Sequence, residues 1–413
     1  MARRPEYTLI ITNPAGSQVV ETIGEPDPAS NSPGWETINL KPRHLVVGYG
    51  DFTCPATPAI LAAVNTPENR VVVHREENGE PATVEMCGPI ESQPQGYQAD
   101  RDGDSGPGRV TVRFASDDAR LADRLLYPSP GLASTEQTIT TRYVLTAANP
   151  ENAMRGMFNV NAGPGALTPR QYPGFVLGAD LGLLPGYTIS TSFTRDTTLT
   201  DGLREVSRLS AAGNGGLGLG YRMAQVGATI EFQTFAPRDL SGEIVFGREF
   251  GNVETLDYEP TAPTDTVAIV GDATAGTGRV VKERINTAAA AEGWFRREVW
   301  VDGSGAANAT ELEQLGDRAL DEGGATYRVT VVARETPDQR WRRDFGPGDQ
   351  ASVEVAPGVF VTALVQGADI TVTGDKGETT RPIIATSAET LMPATVREIR
   401  KIWRTINAKS GSL

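Results

Sequence analysis

Arg70-Val-Val-Val-His74-Arg-Glu-Glu77-Asn78-Gly79-Glu80-Pro-Ala82-Thr-Val-Glu-Met-Cys87-Gly-Pro-Ile90 places an Asn-Gly pair between two runs rich in Val and Thr. Asn and Gly tolerate the positive φ of a tight hairpin turn, and β-branched residues suit a pleated, half-buried surface. The segment therefore predicts two antiparallel strands, Arg70–His74 and Ala82–Ile90. The same grammar extends outward. Tyr7–Thr12 is an apolar run closed by Asn13-Pro-Ala-Gly16, and Trp35–Leu40 alternates. Leu45–Tyr49 and Arg109–Ala115 read as further strands. Between these lie turn-rich loops, Gly24–Gly34 and Gln93–Gly108. With 45 Gly and 28 Pro in 413 residues, turns are frequent throughout. The expected fold class is α+β, mostly β.

Helices interrupt this pattern at a few places. Thr57 precedes Pro58 and an apolar stretch to Asn65, which is a capped start with proline in the first turn. Ser116-Asp117-Asp118 precedes Leu121, Leu125 and Leu126, which predicts a capped helix ending at Tyr127-Pro128. Thr140–Asn149 reads as a helix stopped by Pro150. Leu199–Ala212 and Ala307–Glu322 are amphipathic. Strands are expected near Gly218–Met223, Thr229–Phe235, Gly242–Phe250, Val253–Glu259, Asp265–Val270, Gly278–Asn286 and Arg296–Val301. Five more follow at Thr326–Arg334, Ala351–Val355, Phe360–Val365, Asp369–Thr373 and Arg381–Thr386. Ala394–Asn407 closes the chain as an amphipathic helix. Arg397, Arg400, Lys401 and Arg404 line its polar face, which reads as a solvated helix face or as a docking surface for an acidic partner or protomer.

Composition narrows the function classes. The formal charge of −14 argues against a general nucleic-acid binder, which needs clustered cations, and against docking on an anionic membrane. No apolar run approaches the length of a membrane span, and Met1–Tyr7 is not followed by a secretory apolar segment. Cys54 and Cys87 supply no disulfide framework; a bridge and two free thiols both fit the sequence. Two histidines, His44 and His74, leave little imidazole for metal sites or acid–base work.

Motifs for chemistry are sparse. Gly213-Asn-Gly-Gly-Leu-Gly-Leu-Gly220 follows a helix and enters a strand, the reverse of a dinucleotide fingerprint, so a helix-ending turn is the better reading. Asp100, Asp102 and Asp104 alternate as in the first half of a calcium loop. Ser105 and Thr111 then stand where a glycine and a bidentate glutamate are needed. These three aspartates are the weak calcium candidates; no catalytic residue and no cofactor is expected. The sequence carries no G-x-S-x-G, H-E-x-x-H or C-x-x-C pattern. Carboxylate pairs of a glycosidase are not singled out among 52 acidic residues.

The order of landmarks carries one resemblance. Tyr7 and Leu9, Trp35, Val47-Gly48 and Cys87-Gly88-Pro-Ile90 open it. Val110–Asp118 with Leu121, Arg124-Leu125-Leu126 and Pro128-Ser-Pro130 continues it, followed by the Thr140–Asn149 segment, Phe250-Gly-Asn252-Val253, Thr264–Gly271 and Phe345-Gly346-Pro-Gly348-Asp349 to Val353. Together these resemble the tail-tip (baseplate) hub family of siphophages, minor tail proteins of phages of actinobacteria. That family is related to the hubs of contractile tails and type VI spikes. The resemblance implies a homotrimer with two tube-like β-barrel domains per chain, a ring continuing the tail tube, a DNA lumen and outer decoration. Implied partners are the distal tail protein, the tape measure protein and other tail-tip proteins, with the chain made in the host cytoplasm and placed in the virion. Residues 1–115 would be the first tube-like domain, 116–212 an outer α/β domain, 213–390 the second tube-like domain and 391–413 the basic helix. The closing stretch from Leu391 departs from the family pattern. The competing classes are a carbohydrate-binding adhesin, which would display aromatics, and a cell-wall hydrolase. Trp35, Trp294, Trp300, Trp341 and Trp403 are dispersed and read mostly as core.

Overall fold

The structure is a computed structural model. It describes residues 5–25, 34–77, 81–91, 108–137, 141–274, 278–306, 308–323, 326–374 and 377–386. The fold is mostly β, in several sheets with helices between them. The described residues divide into two compact units. One is drawn from Met1–Thr255 and Val331–Ala388, the other from Leu256–Thr330.

In the first unit the opening hairpin forms as read. Arg70–Glu76 pairs antiparallel with Thr83–Pro89 and, on its other side, with Glu6–Thr12; Val19–Ile23 completes a sheet of four. Tyr7, Leu9 and Ile11 alternate inward and are buried, whereas Val71, Val72 and Val73 are buried in succession. The hairpin turn at Asn78-Gly79 lies outside the described residues. Trp35 is fully buried beneath the first strand, and its indole Nε1 donates to the Tyr7 carbonyl at 3.0 Å.

A second, nine-stranded sheet runs in the order Val253–Thr261, Thr326–Ala333, Gly377–Ala385, Val359–Thr373, Thr37–Lys41, Tyr49–Pro55, Arg109–Ala115. Val245–Phe246 and Gln350–Ala356 join beside Val359–Thr373. Early and late parts of the chain thus share one sheet, with Leu40 opposite Ile370 and Ile38 opposite both Val372 and Phe52. Gly88 lies where Thr83–Pro89 passes the end of Arg109–Ala115. A Cβ there would come 2.0 Å from the Ala115 carbonyl oxygen, so only glycine fits. The helices Pro150–Asn161 and Leu199–Ser210 pack on a three-stranded sheet of Gly220–Val226, Thr229–Phe235 and Phe175–Leu177. Phe158 stacks on Phe232 at 4.5 Å in the middle of that core.

The Thr57 cap is present: its hydroxyl accepts from Ile60 N at 3.2 Å, ahead of the helix Pro58–Asn65. Other expectations are corrected. Thr140–Asn149 is not a helix. Arg142–Ala148 is a strand paired with Ile189–Thr194, and Pro150 begins the next helix, with Asn149 accepting from Asn152 N at 3.1 Å. Proline lacks the donor that a first helical turn leaves unused, so it starts a helix as readily as it stops one. The helix after Ser116 shrinks to Ala119–Ala122, because Asp118 makes no cap bond and Asp117 is taken by Arg70. Leu125 instead bridges to Thr198. Leu45 has a left-handed φ of 54°, which breaks the strand expected at Leu45–Tyr49; the strand is Tyr49–Pro55. The strand at Gly242–Phe250 reduces to Val245–Phe246, and Phe360–Val365 with Asp369–Thr373 fuse into Val359–Thr373 across a bulge at Val365/Gly367. Val19–Ile23, Phe175–Leu177 and Ile189–Thr194 form short strands that the periodicity did not single out.

The second unit is a small α/β layer. Val267–Gly271 pairs antiparallel with Val281–Ile285 and parallel with Glu298–Asp302. The helix Ala309–Gly323 covers one face through Leu312, Gly316 and Leu320. The tryptophans divide between framework and surface. Trp35 and Trp341 are buried, as expected, but Trp294 and Trp300 are exposed. Trp403 lies outside the described residues.

Candidate functional site

The first unit holds a cleft of about 650 Å³. Its walls come from the hairpin strand Thr83–Pro89, the strand Gly220–Val226 and the turn around Arg342–Asp349, with further residues near His44, Asp118 and Arg238. Its charged and titratable lining includes His44, Glu85, Asp118, Arg222, Arg238, Arg342 and Asp349.

Each charged group is held by the fold. Glu85 is almost wholly buried; it accepts from the Trp341 indole at 3.0 Å and from Arg342 Nε at 3.2 Å. Arg342 also lies 5.3 Å from the Trp341 ring centroid. Asp349 accepts from the Arg238 backbone N–H at 3.0 Å, from its guanidinium at 2.5 Å, and from Gly346 N at 2.9 Å. Such multiply bonded carboxylates fix a turn that would otherwise be mobile. The His44 ring packs against Gly348, whose φ of +91° and missing Cβ make room for it. Burial pushes the His44 imidazole down to about 4, partly offset by Asp349. At Asp118, burial pushes the carboxyl up to about 7, against the hydrogen bonds from Ser116 Oγ (3.1 Å) and Met223 N (3.2 Å). Arg222 donates Nε to Gln233 Oε1 at 3.0 Å and lies 5.9 Å from the Phe235 ring centroid. Its guanidinium is shifted down by burial and by the like charge of Arg342.

Beside the cleft is a buried ion pair. Arg70 grips Asp117 through Nε at 2.9 Å and through a second, shorter bond from Nη2; its Nη1 donates to Gln225 Oε1 at 2.8 Å. Both charged side chains are at most 3% exposed. The pair ties the hairpin strand to the start of the helical layer and to the strand Gly220–Val226. Asp117 and Asp118, expected as helix caps, serve instead as an ion-pair partner and as an acceptor for Met223 N. The only signal for the true role was a run of two acids at a strand end, with no partner visible nearby.

Cys54 and Cys87 are both free and buried. Burial pushes the Cys54 thiol up to about 12 and moves the Cys87 thiol up as well, away from thiolate chemistry. Among the described residues no cluster of three His, Cys, Asp or Glu side chains could hold a metal. The calcium candidates Asp100, Asp102 and Asp104 lie outside the described residues, as do Arg397, Arg400, Lys401 and Arg404. Among the described residues no helix is long and apolar enough to cross a membrane.

No curated protein matches this chain. Solved structures do. The prophage tail protein gp18 from Listeria monocytogenes EGD-e is 9% identical, with 97% of this chain and 99% of that chain covered at a TM-score of 0.50, so the two share a fold. The tail protein from Neisseria meningitidis MC58 is 12% identical over 93% of this chain and 96% of that one, with a TM-score of 0.49. The 43 kDa tail protein of prophage MuSo2 from Shewanella oneidensis is 12% identical over 92% and 98%, also at 0.49. Residues 30–384 match the family of Siphovirus ReqiPepy6 Gp37-like proteins. The chain therefore belongs to that family of siphovirus tail proteins, in keeping with the resemblance read from its landmarks.

Proposed function

We propose that this protein is a structural hub of the tail tip, three copies of which form a ring that continues the tail tube. The ring would link the tube to tip and receptor-binding proteins and leave a lumen for DNA. The observation that carries this reading is the family match over residues 30–384. In this reading two tube-like β-barrel domains are built from 1–115 and 213–390, with 116–212 as outer decoration. A threefold ring with two similar domains per chain meets sixfold symmetry on one side and threefold symmetry on the other. Thr37–Lys41 and Val359–Thr373 share one sheet, so the two domains of this reading would be joined along a common wall, and a slip between these strands would expose Ile38 and Leu40. A charge of −14 suits a lumen past which DNA slides without binding.

The partners in this reading are a distal tail protein, a tape measure protein and other tip proteins. The basic positions Arg397, Arg400, Lys401 and Arg404 would dock on an acidic surface of one of them or of a second copy. The cleft lined by Arg222 and Arg342 would seat a partner segment, and the role is non-enzymatic. Cryo-electron microscopy of intact particles tests the reading. A threefold ring with a central lumen at the end of the tail is expected. A chain found as a monomer that degrades cell wall would replace it with a hydrolase.

A further inference from the structure

The second unit carries a sheet face that its own helix does not cover. Lys282 pairs with Glu313 at 3.0 Å and Arg284 with Asp317 at 2.6 Å, which fixes the even-numbered residues of Val281–Ile285 on the helix side. Val281, Glu283 and Ile285 therefore project from the opposite face, because side chains alternate along a strand. Ile269 pairs with both Glu283 and Trp300, so these three stand in one row across that face.

Trp300 is 54% exposed, yet its ring has a seat. The indole lies across Gly271, where an added Cβ would come 2.5 Å from the ring. A missing side chain thus lets the ring rest on the sheet with about half of its surface in solvent. Charged groups frame it. Arg296 joins Glu283 to Glu298, with the Glu298 contact at 2.6 Å, and the Arg279 guanidinium is 5.8 Å from the ring centroid.

We infer that this face is a saccharide-binding platform, with Trp300 stacking on the apolar face of a pyranose unit of a polysaccharide. The Arg279, Glu283, Arg296 and Glu298 side chains would meet the sugar hydroxyls around the ring. A protein partner fits less well. Sealing the Arg296 network, with the Glu283 and Glu298 carboxylates, under a protein partner's apolar side chains would strip it of water. A sugar offers C–H groups to the indole and hydroxyls to the charged rim at once, so neither is left unsatisfied. This inference goes beyond the hub role and does not depend on it.

The test uses the full chain on a glycan array, followed by affinity electrophoresis in gels containing the polysaccharides that score. Wild type is expected to bind at least one glycan. Trp300→Ala should weaken that binding about tenfold or more, Trp300→Phe should retain a measurable part of it, and Glu283→Gln should weaken it with the aromatic ring intact. Circular dichroism and size on light scattering should be unchanged in all three variants. Binding to no glycan, or binding that Trp300→Ala leaves intact, overturns the inference. Loss of an oligomer in Trp300→Ala overturns it too and assigns the face to a second copy. A ring at the tail tip without sugar binding would sink the platform alone; sugar binding by a chain that forms no ring would sink only the hub.

Discussion

Trp35 lies against a sheet and Trp300 within one, and the two regions use them in opposite ways. In the first unit the residue is fully buried, edge-on to Tyr7 at 6.5 Å, with its indole hydrogen bond satisfied by a backbone carbonyl. In the second unit the ring lies on one side of a three-stranded sheet whose other side is covered by a helix. Two-sided burial makes a tryptophan part of the framework. One-sided burial leaves the ring's flat surface in solvent on a face that also exposes Val281 and Ile285, and contiguous exposed apolar patches mark contact sites. The cleft in the first unit lies between these extremes: Glu85 and Asp349 are ion-paired, whereas Asp118 and Arg222 are held by neutral partners.

Four measurements would break or sharpen this contrast. The largest effect is expected for Trp35→Ala, which removes a fully buried indole and should cost about 4 kcal/mol in urea denaturation. A cost near zero would mean that the first sheet is not the stability core. Asp117→Ala comes next. It strands the Arg70 guanidinium in a site at most 3% exposed and should cost about 3 kcal/mol. Replacing both residues together by Met and Leu should recover much of that loss.

The pH profile is third. His44 titrates near 4 in the fold, below its ordinary value, so its contribution is present above about pH 6.5 and is lost as pH falls toward 4. Asp118 titrates near 7, above its ordinary value, so its contribution is lost as pH rises from about 4 to 7. The two slopes oppose each other in the same window. His44→Gln should therefore tilt the profile, making stability fall by roughly 2 kcal/mol between pH 4.5 and 6.5, and Asp118→Asn should tilt it the other way. Melting temperatures of the three proteins across that range would check the signs. Two parallel profiles would remove the cleft's electrostatic account. The smallest effect is Trp300→Ala on stability, expected to stay below about 0.5 kcal/mol because the ring is half out of the sheet. A loss as large as that of Trp35 would make it framework after all.

Much of the fold was legible before any coordinates. The Thr57-Pro58 cap, the amphipathic helices at Leu199–Ser210 and Ala309–Gly323, and the strand at Thr229–Phe235 all form where periodicity puts them. Misreadings gather where two local meanings compete. Pro150 can end a helix or begin one, and an Asp before Leu121 can cap a helix or leave it for a distant arginine. The cleft was not legible at all. Its walls come from residues near 44, 85, 118, 222 and 342, and no short window contains two of them.

The sequence by itself determined what is set within a few residues: strand alternation, turn residues, caps, the acidic balance, and the ordered landmarks that mark the family. Tertiary structure alone decided who meets whom. Arg70 finds Asp117 across 47 positions, Met223 N finds Asp118 across 105, and Trp300 is left facing solvent while Trp35 is sealed in. The physical reason is that backbone preference and side-chain period act locally. Burial and ion pairing depend instead on which surfaces the closed chain brings together, and residues of the same type then take opposite fates.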